Sequence, residues 1–226
     1  MKLRRVLLIC GVLSSLAYLG ADQLAAVFHG AYHSFAAQTI SELFARGAPT
    51  RAMVDPLLVL YDLLTIAFGV GVWLAARGQR SLRITSVALV VLGAVGVPGP
   101  WLFPMNLRGV GGDEPHIIMT AVMVLFIITA VVAGAFALGR GFRLYSFATL
   151  ATTLLFGMLT GLQGKAVATG APTPWIGLTE RVCIGAFLLW VAVLAVALLR
   201  ADRVPTTKRE RPRERVAPAT THSVPA

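Results

Sequence analysis

The chain has 226 residues, of which 57% are hydrophobic, and it carries a formal net charge of +10. Such a charge could indicate nucleic-acid binding, but most basic residues fall in short turns and one tail that separate long apolar stretches. This distribution indicates an integral membrane protein and excludes nucleic acid as a partner. Its two cysteines, Cys10 and Cys183, fall at opposite membrane depths, so they cannot form a disulfide bond with each other.

Six apolar stretches are long enough, or nearly long enough, to cross a bilayer, which takes about 20 helical residues. We therefore predict an all-α, polytopic membrane bundle of six transmembrane helices within residues 1–199. The first stretch could instead be a cleaved signal peptide, but Leu19 fits the small-residue cleavage rule poorly. The predicted spans are residues 6–21, 57–76, 84–103, 116–138, 144–164 and 180–199.

Basic residues are distributed unevenly between alternate connections of the predicted bundle. Of the 20 Lys and Arg residues, 15 fall in residues 1–5, 77–83 and 139–143 and in the tail from residue 200. Because basic residues near span ends are retained in the cytoplasm, we predict that both termini are cytoplasmic and that three loops face outward. The expected location is the plasma membrane.

Residues 200–226 combine mixed charge, four prolines and few large apolar side chains. Such a segment cannot bury a core, so it is predicted to form a disordered, basic cytoplasmic tail. Its basic cluster, residues 208–215, would contact anionic lipid head groups, which makes membrane lipid the expected partner of this segment.

The first outer loop, residues 22–56, is predicted to contain a short helix. Thr39 and Glu42 have the spacing of a capping box, and Gly47 and Pro49 would end the helix. Its apolar residues would share one face. The helix would therefore lie on the outer membrane surface or plug the mouth of the bundle.

Glycines at helical spacing predict close packing between the spans. Gly157 and Gly161 have the G-x-x-x-G spacing, so we expect their face to pack against another helix. The same packing role is predicted in the second and third spans for Gly69, Gly71, Gly93, Gly96 and Gly99.

Side chains that could bind a metal ion or transfer protons concentrate at the predicted outer ends of the spans. His29 and His33 are four residues apart and would share a helical face, as pairs of metal ligands do. No HExxH motif occurs, so hydrogen bonding at the membrane interface is the simpler interpretation. No cofactor is predicted, and a divalent metal ion stays an alternative. The candidate outer polar cluster comprises His29, His33, Glu42, Asp62, Asp113, His116, Glu180 and Arg181.

Within this cluster, Asp62 is the acid placed deepest in a span. A carboxylate there should face the bundle interior and have a partner, because an unpaired charge is costly in a bilayer. Candidate partners are Arg181, His116 and Gln163, and a neutral carboxyl group is the alternative.

Arg181 follows Glu180 in the first turn of the sixth span, where the helix dipole disfavours a cation. We therefore expect an outer acid to hold Arg181, with Asp62, Asp113 and Glu180 as the candidates. Asp113 is also expected to cap the fourth span.

Several short strings between the spans have a family resemblance when they are taken in order. They are residues 32–34, 39–43, 47–49, 103–106, 113–116, 177–181 and 187–190. Together they resemble the bacterial domain of unknown function 998 family, which is common in actinobacteria. The resemblance implies a six-helix membrane protein with no established activity, and it supplies no catalytic residues.

No nucleotide-binding loop, nucleophile elbow or CxxC pair occurs in the chain. The main hypothesis is a binding or accessory component of the plasma membrane that binds lipid or another membrane protein. One alternative is an outer-facing, lipid-directed hydrolase that uses the His/Asp/Glu cluster, with Ser34 and Ser41 as open nucleophile candidates. The other is a small transporter in which Asp62 relays protons.

Overall fold

The computed structural model describes residues 2–30 and 34–202, and the elements within these ranges are helices joined by turns and loops. A 3₁₀ helix, Ser41–Phe44, lies in the loop between the first two α-helices. The α-helices are α1 (Lys2–Phe28), α2 (Arg51–Ala75), α3 (Arg80–Gly96), α4 (Gly99–Leu102), α5 (Glu114–Ala135), α6 (Arg140–Gly161), α7 (Gly164–Ala168) and α8 (Ile176–Ala201).

Five of the described helical segments are long and apolar enough to cross a membrane, namely α1, α2, α5, α6 continued by α7, and α8. The prediction of an all-helical membrane protein is thus confirmed. The stretch expected as the third span is divided: α3 has 17 residues and ends at Gly96, and α4 follows. The prolines at positions 98 and 100 explain the break, because proline lacks a backbone N–H and clashes with the preceding helical turn.

Two other predicted boundaries differ from the structure. α1 continues to Phe28, which places Asp22 inside a helix rather than in a loop. α2 begins at Arg51, before Pro56, and its first turns contain an ion pair of 3.1 Å between Arg51 Nε and Asp55 Oδ2. Ion pairs at this i, i+4 spacing stabilise a helix, so the polar start of α2 is helical as well as the apolar part.

The long helices follow one another around a ring in the order α1, α2, α3, α5, α6, α8, and α8 packs against α1. One end of the ring, which we call the loop end, carries residues 29–30, 34–50, 97–113 and 162–175. The opposite end carries the short turns after α2 and α5 and is called the basic end. There, Asp202 pairs with Arg4, Arg5 and Arg77, so this carboxylate joins the start of α1, the turn after α2 and the end of α8.

The main apolar core fills the half of the ring nearer the basic end. Trp190 of α8 is fully buried, and its Nε1 donates a hydrogen bond of 2.9 Å to Ser146 Oγ of α6. A Cβ atom at Gly134 of α5 would lie 2.5 Å from Trp190 Cζ2, so only glycine fits there. The same tight contact occurs at four of the glycines predicted to pack closely, Gly69, Gly71, Gly93 and Gly96.

The expectation for Gly157 and Gly161 needs correction. A Cβ atom at Gly157 would lie 3.3 Å from Cys183 Sγ of α8, which is a close side-chain contact. At Gly161, by contrast, no described atom lies within 4 Å of such a Cβ atom. The face is therefore packed at one glycine and open at the other, because α6 lines a cavity toward the loop end.

Candidate functional site

A cavity of about 430 Å³ occupies the half of the ring nearer the loop end. This volume falls within the range of about 300–1,000 Å³ found for small-molecule sites. Its apolar walls come from α2, α3, α5 and α8 and include Leu58, Leu92, Met123, Ile127 and Phe187. Polar groups line the same cavity: Tyr18, Thr39, Ser41, Tyr61, Asp62, Asp113, Glu114, His116 and Glu180.

The 3₁₀ helix of the first outer loop covers part of the cavity. Thr39 and Glu42 form the predicted capping box: Thr39 N donates a hydrogen bond of 2.8 Å to Glu42 Oε2, and Glu42 N donates one of 3.3 Å to Thr39 Oγ1. Leu43 is fully buried and Phe44 nearly so, and Gly47 takes a positive φ of 86° just after the helix. The short helix was predicted either to lie on the membrane surface or to plug the mouth of the bundle. In the structure it packs into the mouth of the bundle.

Arg108, in the second loop, holds the three loops of the loop end together. Its Nε and Nη2 each donate a hydrogen bond of 2.9 Å to the Glu42 carboxylate, and Nη2 donates another of 2.9 Å to the carbonyl of Ala37. Its Nη1 donates 2.7 Å to Thr173 Oγ1 and 3.3 Å to the carbonyl of Ala171. Glu42 is only 2% exposed, so its charge depends on this arginine.

Arg181 makes a second, separate pair. Its Nη2 and Nε donate hydrogen bonds of 2.6 and 2.9 Å to the carboxylate of Asp22 on α1. Its Nη1 donates to the carbonyls of Phe35, Gln38 and Gly177 at 2.8 to 3.0 Å. An acid therefore holds Arg181 as expected, but that acid is not one of the three candidates. α1 was predicted to end before Asp22, and its continued helix brings Asp22 against α8.

His116 connects the start of α5 to the 3₁₀ helix. Its Nδ1 lies 2.9 Å from the carbonyl oxygen of Phe103, and its Nε2 lies 3.2 Å from Ser41 Oγ. A carbonyl only accepts hydrogen bonds, so Nδ1 carries the proton and Nε2 accepts from the Ser41 hydroxyl. Asp113 does not cap α5 with its side chain; its Oδ1 accepts a hydrogen bond of 2.7 Å from Asn106 N in the preceding loop.

Two further carboxyl groups face the cavity. Glu180 Oε2 accepts a hydrogen bond of 2.5 Å from the backbone N–H of Ile40, which ties α8 to the loop above it. Asp62 is 4% exposed, and its buried Oδ1 has no hydrogen-bond partner in the described part of the chain. None of the expected partners of Asp62 pairs with it: Arg181 binds Asp22, and His116 binds Phe103 and Ser41.

α5 and α6 form the less buried side of the cavity. No side chain is buried between residues 117 and 129 of α5 or between residues 154 and 161 of α6. Both helices instead bury side chains nearer the basic end, at Ala130 and Val131 on α5 and at Thr149 and Thr153 on α6. The parts of α5 and α6 nearer the loop end therefore bury fewer side chains than the parts nearer the basic end.

The structure brings together only part of the predicted polar cluster. Asp62, Asp113, His116 and Glu180 line one cavity. Glu42 and Arg181 lie outside its lining and bind Arg108 and Asp22, respectively. His29 follows the end of α1 away from the cavity, and His33 lies outside the described residues.

The described His, Cys, Asp and Glu residues form no group of three that could hold a metal ion. Sequence reasoning also missed three residues that the structure makes important, Asp22, Ser41 as the partner of His116, and Arg108. For Arg108, a signal was present: basic residues are rare in the outer loops, and this one precedes a run of glycines at positions 109, 111 and 112. Those three glycines all have positive φ, a backbone conformation that other residues rarely adopt, so the loop that follows Arg108 requires glycine at these positions.

A family model described as "Protein of unknown function (DUF998)" matches residues 12–197 of the chain. The match covers most of the chain, including all the described residues that line the cavity. It confirms the resemblance seen in the sequence. No curated protein and no solved structure matches the chain significantly.

Proposed function

The chain belongs to the DUF998 family, and we propose that it is a membrane protein that binds an amphiphilic, lipid-like molecule in the cavity at its loop end. The apolar part of the ligand would lie along the walls of the cavity, and its head group would contact the polar side chains. The ligand would enter from the bilayer through a gap between α5 and α6. This proposal makes the chain a binding component of the membrane.

The proposal includes a topology. We take α3, continued by α4, as a sixth crossing, because 17 residues is at the short limit for a transmembrane helix. With six crossings both termini lie on one side. The excess of basic residues near the termini supports a cytoplasmic location for both, which would put the loop end on the outer face of the plasma membrane.

The observation that carries the proposal is a ligand-sized cavity with apolar walls and a polar lining on part of its surface. We infer that it opens to the bilayer through a gap between α5 and α6, because residues 117–129 of α5 and 154–161 of α6 include no buried side chain. An empty apolar space inside a bundle is costly, because its lining atoms lose contacts with neighbours. A cavity of about 430 Å³ in a bundle that packs tightly elsewhere is better explained by an occupant. Lipid is the apolar molecule that the gap would meet.

A cavity-filling substitution tests this proposal. Gly161 lines the cavity, and a Cβ atom there meets no described atom within 4 Å, so Gly161→Trp should fill the cavity without breaking existing contacts. Gly185→Trp is the matched control, because position 185 is equally open but lies outside the cavity lining.

Binding would be measured with a fluorescent monoacylglycerol, a single-chain amphiphile with a neutral head group, and protein in phosphatidylcholine nanodiscs. Wild type and Gly185→Trp should show saturable binding above that of empty nanodiscs, and Gly161→Trp should not. Equal binding by the two variants would place the probe outside the cavity and contradict the proposal.

A second candidate function rests on the contact between Ser41 and His116. His116 accepts the Ser41 hydroxyl at Nε2 while the carbonyl of Phe103 fixes its Nδ1–H, which is the arrangement of an activated serine nucleophile. Both side chains line the cavity, so a bound acyl ester would lie beside them. This favours a lipid-directed hydrolase as the alternative.

A fluorophosphonate probe distinguishes the hydrolase from a binding protein, because it reacts covalently with activated serines. A hydrolase would be labelled at Ser41, and labelling would be lost in Ser41→Ala but kept in Ser34→Ala. Ser34 is an exposed serine of the same loop and does not line the cavity. Absence of an adduct on Ser41 in wild type, as seen by peptide mass spectrometry, would exclude this mechanism.

A further inference from the structure

Asp62 is a buried acid whose charge no described residue neutralises. It lies on α2, lines the cavity and is 4% exposed, and its Oδ1 accepts no hydrogen bond. Space for the carboxylate comes from α3, because a Cβ atom at Gly96 would clash with Asp62 Oδ1. A polar group removed from water and left without a partner is destabilising. The presence of Asp62 at this position therefore needs an explanation.

The charges around Asp62 are all of one sign. Asp62, Asp113, Glu114 and Glu180 line the cavity, and its described lining contains neither lysine nor arginine. The two arginines of the loop end that form ion pairs with buried acids do not pair with Asp62. Arg108 binds Glu42, and Arg181 binds Asp22.

The hydrogen bonds of the other buried acids set Asp62 apart. Asp113 accepts from the backbone N–H of Asn106, and Glu180 accepts from that of Ile40. On the same helix as Asp62, Asp55 pairs with Arg51. Asp62 alone among these four acids has neither a backbone donor nor a cation in the described ranges.

We propose that Asp62 binds the ammonium head group of a cationic amphiphile, a long-chain amine whose hydrocarbon part fills the cavity. The inference rests on the proposed function and names the ligand class of the same site. The ammonium group supplies both the positive charge and the hydrogen-bond donor that Asp62 lacks, and such charge-assisted bonds are among the stronger ones in proteins.

Two aromatic side chains support a cationic head group. Tyr18 of α1 and Tyr61 of α2 both line the cavity, and their ring centroids are 4.9 Å apart with the rings edge to face. The faces of aromatic rings attract cations, so tyrosines next to a carboxylate favour an ammonium ion over a neutral group. An anionic head group, such as a fatty acid carboxylate, would instead meet four acids and no described cation.

Three ligands with one hydrocarbon chain and different head groups separate this inference from the proposed function: dodecylamine, dodecanol and dodecanoate. Each would compete with the fluorescent monoacylglycerol in phosphatidylcholine nanodiscs, and empty nanodiscs would correct for partitioning into lipid. A hydrogen bond between two charged groups adds to the free energy of binding. We therefore expect wild type to bind dodecylamine about ten- to a hundredfold more tightly than dodecanol. Dodecanoate should bind most weakly.

Asp62→Asn keeps the shape of the side chain and removes its charge. It should bring the affinity for dodecylamine to within about threefold of that for dodecanol, a difference of less than about 0.7 kcal/mol, while dodecanol binding is kept. Asp55→Asn is the matched control on the same helix, outside the cavity lining, and should keep the wild-type preference.

The outcomes are distinguishable. Equal binding of dodecylamine and dodecanol by wild type, or an undiminished amine preference in Asp62→Asn, would overturn this inference and leave the proposed function standing. Failure of all three ligands to compete would overturn this inference, and it would overturn the proposed function as well if Gly161→Trp and Gly185→Trp also bind the fluorescent probe equally.

Discussion

Replacing Arg108 with methionine should destabilise the whole loop end, because a single guanidinium group contacts all three loops there. It donates two hydrogen bonds of 2.9 Å to Glu42 and three more to Ala37, Ala171 and Thr173. Methionine keeps much of the apolar stem but none of the donors. Glu42, which is 2% exposed, would lose the guanidinium group that pairs with its buried carboxylate.

The expected size of the effect follows from these contacts. Breaking a buried ion pair by removing one partner costs roughly 3–5 kcal/mol. The lower limit applies here, because the Arg108 side chain is 27% exposed and Thr39 still donates two hydrogen bonds to Glu42. At about 2–4 °C per kcal/mol for a chain of this length, a loss of about 3 kcal/mol lowers Tm by roughly 6–12 °C.

The assay is thermal unfolding of purified protein in detergent, followed by tryptophan fluorescence. Arg51→Met is the matched control, because the Arg51 side chain is 26% exposed and forms an i, i+4 pair with Asp55. Such pairs contribute only about 0.3–0.5 kcal/mol, and one further hydrogen bond to a carbonyl adds about 1 kcal/mol, so Tm should fall by less than about 6 °C.

A double substitution separates a lost cation from lost packing. In Arg108→Met combined with Glu42→Met, no buried charge is left unpaired, so much of the stability should return. If Arg108→Met unfolds within about 2 °C of wild type, or no more easily than Arg51→Met, then Arg108 does not hold the loop end together and the reasoning fails.

Two further predictions concern topology and packing. Single cysteines at Gln79, in the turn after α2, and at Val110, which is 70% exposed in the second loop, should react with an impermeant maleimide from opposite sides of the membrane in a cysteine-free background. Reaction of both in intact cells would rule out six spans. Gly134→Ala should cost about 1–3 kcal/mol, because the new Cβ atom would lie 2.5 Å from Trp190 Cζ2. Gly161→Ala should change stability by less than about 0.5 kcal/mol, and equal losses in the two variants would contradict the packing described.

Hydropathy was enough to predict the long helices of this chain, because a long apolar segment inside a bilayer satisfies its own backbone groups by forming a helix. The helix boundaries were harder to predict, and the reason is physical. Polar residues at a span end continue the helix when they find partners, as Arg51 and Asp55 do at the start of α2. α3 ends early for the opposite reason, since proline prevents its continuation through apolar residues.

The site was predictable only in part, because sequence gives the depth of a residue in the membrane but not the neighbour of each helix. Asp62, His116 and Glu180 were predicted to lie at the same end of the bundle, and all three line the cavity. Arg181 meets Asp22 because α1 packs against α8, and nothing in the sequence of either helix indicates that the two are neighbours. The contact between Ser41 and His116 was not predictable either, because it joins residues 75 positions apart in the sequence.

The wrong candidate partners for Arg181 bear directly on function. If Arg181 paired with Asp62, the charge of Asp62 would be neutralised by the protein. Asp62 would then give the cavity no preference for a cationic ligand. Instead, Asp22 takes Arg181 and Glu42 takes Arg108, and neither pair contributes to the cavity lining. The two arginines thereby fix the loops through acids outside the cavity, while no described residue pairs with Asp62. Asp22 and Glu42 are paired with arginines outside the cavity, whereas Asp62 faces the cavity without a described cation. A cationic head group therefore fits the cavity best.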